Sequence, residues 1–237
     1  AVRLRAMGYP VLVLEAADIK AAARWGVWSA CYNTGQTCVS IERAYVTEAV
    51  YDEFVREAVE QAQRTTVGYS PEIDNTYHMA PLSFNRQQQI IEDHLADAVE
   101  KGARILTGGH IKDLYAEPTV VVNVDHSMKL MSEETFGPVL PIMKVKDETE
   151  AIRLANDSEY GLSASVWSKD LTRGQRVAHQ LEVGSVNIND ATTHYPVSLL
   201  PFGGVKQSGS ARTHSKSEVL QFTQLRSYSV GQPPLPW

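Results

Sequence analysis

The apolar residues of this chain change period again and again, and that alternation limits the fold more than any other feature. Val11-Leu12-Val13-Leu14 is a short continuous apolar run, as in a strand buried on both faces. Asp18 then precedes a helical pattern that runs to about Asn33, with Gly35 as its stop signal. Residues 41–46 read as a strand, and Thr47 can cap a helix in which Val50, Phe54, Val55, Ala58, Val59 and Ala62 share one stripe. Residues 67–81 hold turn formers without a period and read as a surface loop, while 85–101 read as a helix ended by Gly102. Further strands are expected at 104–107, 119–124, 139–145, 163–167 and 185–188, and further helices at 148–155 and 171–181.

Strand and helix trading places in this way predicts an α/β fold of three layers, a mainly parallel sheet with helices on both faces. Residues 1–220 are expected to form this one domain. Residues 221–230 read as an extended closing strand and 231–237 as a Pro-rich tail, together a segment expected to serve self-association.

The bulk properties remove several function classes. A formal charge of −6, with lysine and arginine scattered, gives no footprint for nucleic acid. The longest apolar runs are too short to span a bilayer, and residues 1–7 have no signal-peptide core. The two cysteines make neither a disulfide framework nor a zinc spacing, so no metal and a reducing, cytoplasmic compartment are expected. The seven histidines show no ligand spacing, and there is no G-x-S-x-G or G-x-G-x-x-G. The chain does not begin with methionine, which suggests that it starts partway through a longer product.

Cys31 lies inside the apolar pattern Ala22, Trp25, Trp28, Ala30 and reads as a structural thiol. Cys38 follows the turn Tyr32-Asn33-Thr34-Gly35-Gln36-Thr37, where that pattern has lapsed. A thiol there is expected to open onto a cleft and to be partly ionised, given access and nearby N–H dipoles.

Gly35-Gln36-Thr37-Cys38, followed by Arg43, resembles the cysteine signature of the aldehyde dehydrogenase superfamily. Two further blocks occur in that family's order. Glu133-Glu134-Thr135-Phe136-Gly137-Pro138-Val139 is similar to its E-x-F-G-P-V segment, and Pro201-Phe202-Gly203-Gly204-Val205-Lys206-Gln207-Ser208-Gly209 to its P-F-G-G-x-K-x-S-G segment.

The resemblance implies oxidation of an aldehyde to a carboxylic acid with NAD or NADP, through a thiohemiacetal and a thioester on Cys38. It implies that Glu134 holds the hydroxyls of the nicotinamide ribose and that Phe136 packs near the nicotinamide. Asn189, with Asn187 at the end of a predicted strand, and Phe202 in a tight loop are expected near the substrate pocket. A small-molecule aldehyde and further copies of the chain are the expected partners, with neither nucleic acid nor membrane.

The match corresponds to the later part of a family member. The family's E-L-G-G motif, which carries a catalytic glutamate, corresponds here to Arg5-Ala6-Met7-Gly8-Tyr9-Pro10, without a carboxylate. Weak or no NAD binding is expected of the chain by itself. Ser215 and Glu218 stand where the family often has glycine, so a turn of altered backbone is expected there. Two other readings stay open: a non-catalytic truncated relative acting as an interaction module, and a cofactor-independent thiol esterase.

Overall fold

Alternating side chains along the strands feed two separate cores, which is why helices must cover both faces of the sheet. The computed structural model describes residues 9–72 and 76–231. In chain order they form β1 (Tyr9–Val13), α1 (Ile19–Cys31), β2 (Ile41–Thr47), α2 (Glu48–Arg64), α3 (Asn85–Glu100), β3 (Arg104–Thr107), β4 (Ile111–Lys112) and β5 (Tyr115–Ala116). There follow β6 (Thr119–Val122), α4 (Lys129–Ser132), β7 (Val139–Val145), α5 (Glu148–Asn156), β8 (Tyr160–Gly161), β9 (Ser163–Trp167), α6 (Leu171–Ala178), β10 (Ser185–Ile188), β11 (Val205–Lys206) and α7 (Ser215–Gln221).

Seven strands make the central sheet in the order β10-β9-β1-β2-β7-β6-β3. Every pairing in it is parallel except that of β3 with β6. Val11 and Val13 of β1 turn to a core completed by Ala22, Val27, Phe54 and Ala58 of α1 and α2. Leu12 and Leu14 turn the other way, to Ile91, Leu95, Leu130, Ala151 and Val177 of α3 to α6. The expected α/β sandwich of helices about a mainly parallel sheet is therefore the observed one.

The local signals acted as read at Asp18, whose carboxylate accepts the Ala21 N–H at the start of α1. Thr47 differs from expectation. It holds the N-cap position of α2 without a capping bond, because its buried hydroxyl donates instead to Val13 O in β1. The helix expected over 171–181 ends at Ala178.

Residues 221–230, expected as a closing strand, make no ladder within the chain. Gln221 ends α7, and 223–231 carry no regular structure among the described residues. Phe222, Leu225, Tyr228 and Val230 are exposed. His214 and Ser215 take φ of 61° and 57°, so Ser215 occupies left-handed backbone that a serine was expected to tolerate poorly. The stretch 1–8, with most of the segment lacking a carboxylate, and the tail at 232–237 lie outside the described residues.

Candidate active site

The cysteine turn is left-handed backbone built largely without glycine. After α1, Asn33, Thr34 and Gly35 take φ of 51°, 59° and 72° in succession. A β-branched residue in that region carries a steric cost, so the fold must hold it there. It does so through the Thr34 hydroxyl, which donates to Ala80 O at 2.7 Å, and through Gln36 Oε1, which accepts the Ser83 N–H at 2.8 Å. Asn33 Nδ2 closes the turn by donating to Gln36 O at 2.9 Å. Cys38 emerges from it half-buried, and Ser40 fixes the following backbone by donating to Ser29 O at 2.9 Å.

Topology brings the second motif to the same place. The cysteine turn runs into β2 and the Glu133–Pro138 turn runs into β7. These two strands are parallel neighbours, so both turns stand at the same edge of the sheet. Their backbones meet at Gly35 and Gly137, where a Cβ on Gly35 would lie 2.2 Å from the Gly137 carbonyl. Neither group lies at the carboxyl ends of the strands, where open α/β sheets usually place ligands.

The electrostatics of this edge follow from burial. Cys31 is enclosed and its thiol is pushed up to about 12 by desolvation. Burial also raises the Cys38 thiol above its ordinary value. The N–H groups of Cys38 and Val39 and the Thr37 hydroxyl oppose that rise, and the charge on Glu134 adds to it. The expectation of a partly ionised resting thiol is therefore corrected: desolvation outweighs the donors around it. Glu134, half-buried, is pushed up to about 9 by desolvation and by the charge on Glu42. Glu42 is itself pushed up to about 7 by burial, against the pull of two N–H donors and Arg43.

The third motif reaches the cysteine turn indirectly. Beyond β10 the chain folds back, and Thr192 donates to Val39 O at 3.2 Å while its hydroxyl meets that of Ser29 at 2.5 Å. Asn187 Nδ2 donates to Tyr9 Oη at 2.6 Å and meets His194 Nδ1 at 2.8 Å. The His194 ring then packs at 5.7 Å from Phe202, whose ring also faces Tyr195 and His214. Phe202 is thus joined to the Cys38 region through His194 and Thr192.

Asn189 is engaged elsewhere. Its amide donates to Ser168 O at 2.7 Å and accepts the Ser168 N–H at 2.8 Å, which ties β10 to the end of β9. The glycines of the Phe202 loop are close-packed: a Cβ on Gly203 would lie 2.0 Å from Ala211 O. That agrees with a tight structural loop.

Sequence reasoning missed Glu42, and it missed Tyr9 and His194 as the partners of Asn187. The available signal at Glu42 was a carboxylate beside an arginine inside an otherwise apolar strand, where charge needs a partner. A cavity of about 1120 Å³ opens beside Glu134, lined also by Phe84, Arg86, His94, His126 and Glu133.

The chain is similar to known proteins over almost all of its length. It is 41% identical over 230 residues to a 4,4'-diapolycopene aldehyde oxidase of Methylomonas sp., covering 95% of this chain and 42% of that protein. It is 36% identical to an NADP(+) succinate-semialdehyde dehydrogenase of Escherichia coli, covering 94% of this chain and 46% of the relative. The chain thus spans less than half the length of these curated relatives.

Among solved structures, a putative aldehyde dehydrogenase, PutA, from Anabaena variabilis superposes with a TM-score of 0.87 at 37% identity, over 96% of this chain and 51% of that one. A betaine aldehyde dehydrogenase from Staphylococcus aureus, solved with NAD+, superposes with a TM-score of 0.85 at 33% identity, over 91% and 44%. A model of the aldehyde dehydrogenase family matches residues 8–228. With that match, three motifs in order and two of them meeting at one sheet edge, the chain belongs to the aldehyde dehydrogenase family.

Proposed function

We propose that this chain is the catalytic-domain portion of an NAD(P)-dependent aldehyde dehydrogenase, with Cys38 as its nucleophile. The meeting of the Cys38 turn and the Glu134–Phe136 turn at the heads of adjacent strands carries this reading. The thiol adds to the aldehyde carbon: a C–S bond forms, the C=O π pair moves to the oxygen, and a proton replaces there the one given up by sulfur, so the product is a thiohemiacetal. Developing charge on the former carbonyl oxygen needs donors, and backbone N–H groups of the Cys38 turn are the nearest source within the turn itself. Loss of the carbon-bound hydrogen as hydride and of the hydroxyl proton to solvent converts the thiohemiacetal to a thioester, and water cleaves that to the carboxylic acid and the free thiol.

Glu134 would hold a nicotinamide cofactor by its ribose hydroxyls. Glu134 offers two oxygens on the wall of an open cavity, and its charge is felt at Cys38. Phe136 follows it on the same turn as the apolar surface. Bound NAD(P)+ would supply the acceptor for the hydride. Phe202 is assigned to the outer substrate region as an aromatic wall, while Asn189, expected there too, follows the carboxyl end of β10 at the sheet edge opposite Cys38 and braces β10 to the end of β9.

The same reading makes the protein a cytoplasmic homo-oligomer acting on a small aldehyde. Among the described residues no helix is long and apolar enough to cross a membrane, and the exposed apolar groups at 219–230 offer a self-association surface. The test is NAD(P)+-dependent aldehyde oxidation and ester hydrolysis by the complete gene product, each beside Cys38→Ala. Both activities are expected and both vanish in the variant. A folded protein without either supports the interaction-module reading, and ester hydrolysis alone supports the thiol esterase.

A further inference from the structure

Thr135, the residue between Glu134 and Phe136, has each of its polar groups taken by a different buried side chain. Its N–H donates to Glu42 Oε2 at 3.1 Å, its C=O accepts from Gln87 Nε2 at 2.6 Å, and its hydroxyl meets His94 Nδ1 at 3.1 Å. Glu42, Gln87 and His94 are only 6%, 5% and 3% exposed. The other oxygen of Glu42 accepts the Phe136 N–H at 3.0 Å, and Phe136 sits in left-handed backbone at φ 50°.

Burying a carboxylate, an amide and an imidazole is costly unless each is hydrogen-bonded, and here all three spend their bonds on the Thr135–Phe136 turn. The strand shows how Glu42 comes to be there. Tyr9 of β1 pairs with Ile41 and Pro10 with Arg43, so Glu42 is the extra residue of a bulge in β2. A bulge re-aims a side chain, and this one releases Glu42 from the strand's alternation toward the turn that enters β7.

We infer that Glu42 is a positioning residue for the cofactor site: with Gln87 and His94 it clamps Thr135 and so fixes where the Glu134 carboxylate and the Phe136 ring stand. This rests on the assignment of Glu134 and Phe136 to the nicotinamide end given above. Glu42 touches neither substrate nor cofactor in this scheme. It holds the backbone N–H groups of the two residues that follow Glu134. A glutamine at 42 keeps the shape but turns an NH2 toward one of those N–H groups, so a single strong contact is lost and a repulsive one appears. A valine at 135 is isosteric with threonine and removes the hydroxyl that meets His94, leaving the bonds from Glu42 and Gln87.

The experiment uses the complete gene product carrying Glu42→Gln, Thr135→Val or Glu134→Gln. Steady-state kinetics in NAD(P)+ and in aldehyde, ester hydrolysis without cofactor, and amide hydrogen exchange over 134–137 in the cofactor-free protein are compared. Glu42→Gln is expected to raise the KM for NAD(P)+ about tenfold and to speed exchange at Phe136 and Gly137 by a similar factor. It is expected to leave the aldehyde KM and ester hydrolysis within about twofold. Thr135→Val is expected to shift the same readouts in the same direction by less, and it keeps the test decisive if Glu42→Gln does not fold.

Unchanged exchange and unchanged NAD(P)+ KM in the folded variants overturn the inference, as does an equal loss in every activity. Glu134→Gln separates the two levels. If it leaves the NAD(P)+ KM unaltered, the cofactor assignment fails, and this inference with it. If it raises that KM while Glu42→Gln and Thr135→Val do not, the positioning role alone fails.

Discussion

Gly35 and Gly137 lie against one another so closely that no side chain fits between them: a Cβ on Gly35 would be 2.2 Å from both the carbonyl carbon and the oxygen of Gly137. Gly35 also has φ of 72°. Gly35→Ala therefore meets a backbone clash and a strained dihedral together, and is expected to cost about 3 kcal/mol or more. Gly102→Ala is the control, with φ of 99° but open space, and is expected to cost about 1 kcal/mol. Chemical denaturation of the three proteins measures both values. A mild Gly35→Ala would mean that the two motifs are not in contact.

The two cysteines are expected to behave oppositely. Cys31→Ala removes a small buried side chain from the core and should lower stability by about 1–2 kcal/mol while leaving the aldehyde KM unaltered. Cys38→Ala should change stability little, because the residue is half-buried, and should abolish turnover. Denaturation midpoints and initial rates on the two variants check the pair.

Alkylation of Cys38 should report its environment. Burial and the charge on Glu134 both raise its thiol, so the rate with iodoacetamide is expected to climb with pH toward a midpoint above that of a free thiol. Glu134→Gln removes one raising influence and should move the midpoint down. A midpoint below that of a free thiol in the parent protein would contradict the burial described above.

Stability should fall as pH rises, for a definite reason. Glu134 is pushed up to about 9 in the folded chain, against about 4.3 for an ordinary glutamate. The folded state thus binds a proton that the unfolded state releases. The stabilisation it brings is whole below the unfolded value and is lost as pH climbs through the folded one. Glu42, pushed up to about 7, adds to the same trend over a narrower window. Glu134→Gln should therefore gain on the parent in thermal midpoint between about pH 5 and pH 9. A difference that stays flat across that window would show that Glu134 ionises as freely folded as unfolded.

Much of the fold was legible because the buried strands are continuous apolar runs with turn formers at their ends. The strands at 139–145, 163–167 and 185–188 fall where the pattern places them. Short elements such as α4 and the β8–β11 pair were not legible, because they are set by tertiary contacts and not by a local period. The apolar alternation at 221–230 forms no ladder among the described residues, because alternation becomes a strand only when it meets a free strand edge.

At the candidate site, local motifs mark the cysteine turn and the Glu134–Phe136 turn but not the reason the two turns meet. That reason is strand order: β2 and β7 are neighbours although 94 positions separate Glu42 from Phe136. Glu42 escaped notice because a bulge, invisible to a strict period of two, turns it out of the strand pattern.

Acyl transfer to a single sulfur tests the central claim most directly. The complete gene product is mixed with p-nitrophenyl acetate, quenched during the burst and digested for mass spectrometry. The predicted result is one acetyl group on the peptide bearing Cys38, none on Cys31, and no burst in Cys38→Ala. Acetylation confined to other residues, or a burst that survives Cys38→Ala, would contradict the assignment of Cys38 as the nucleophile.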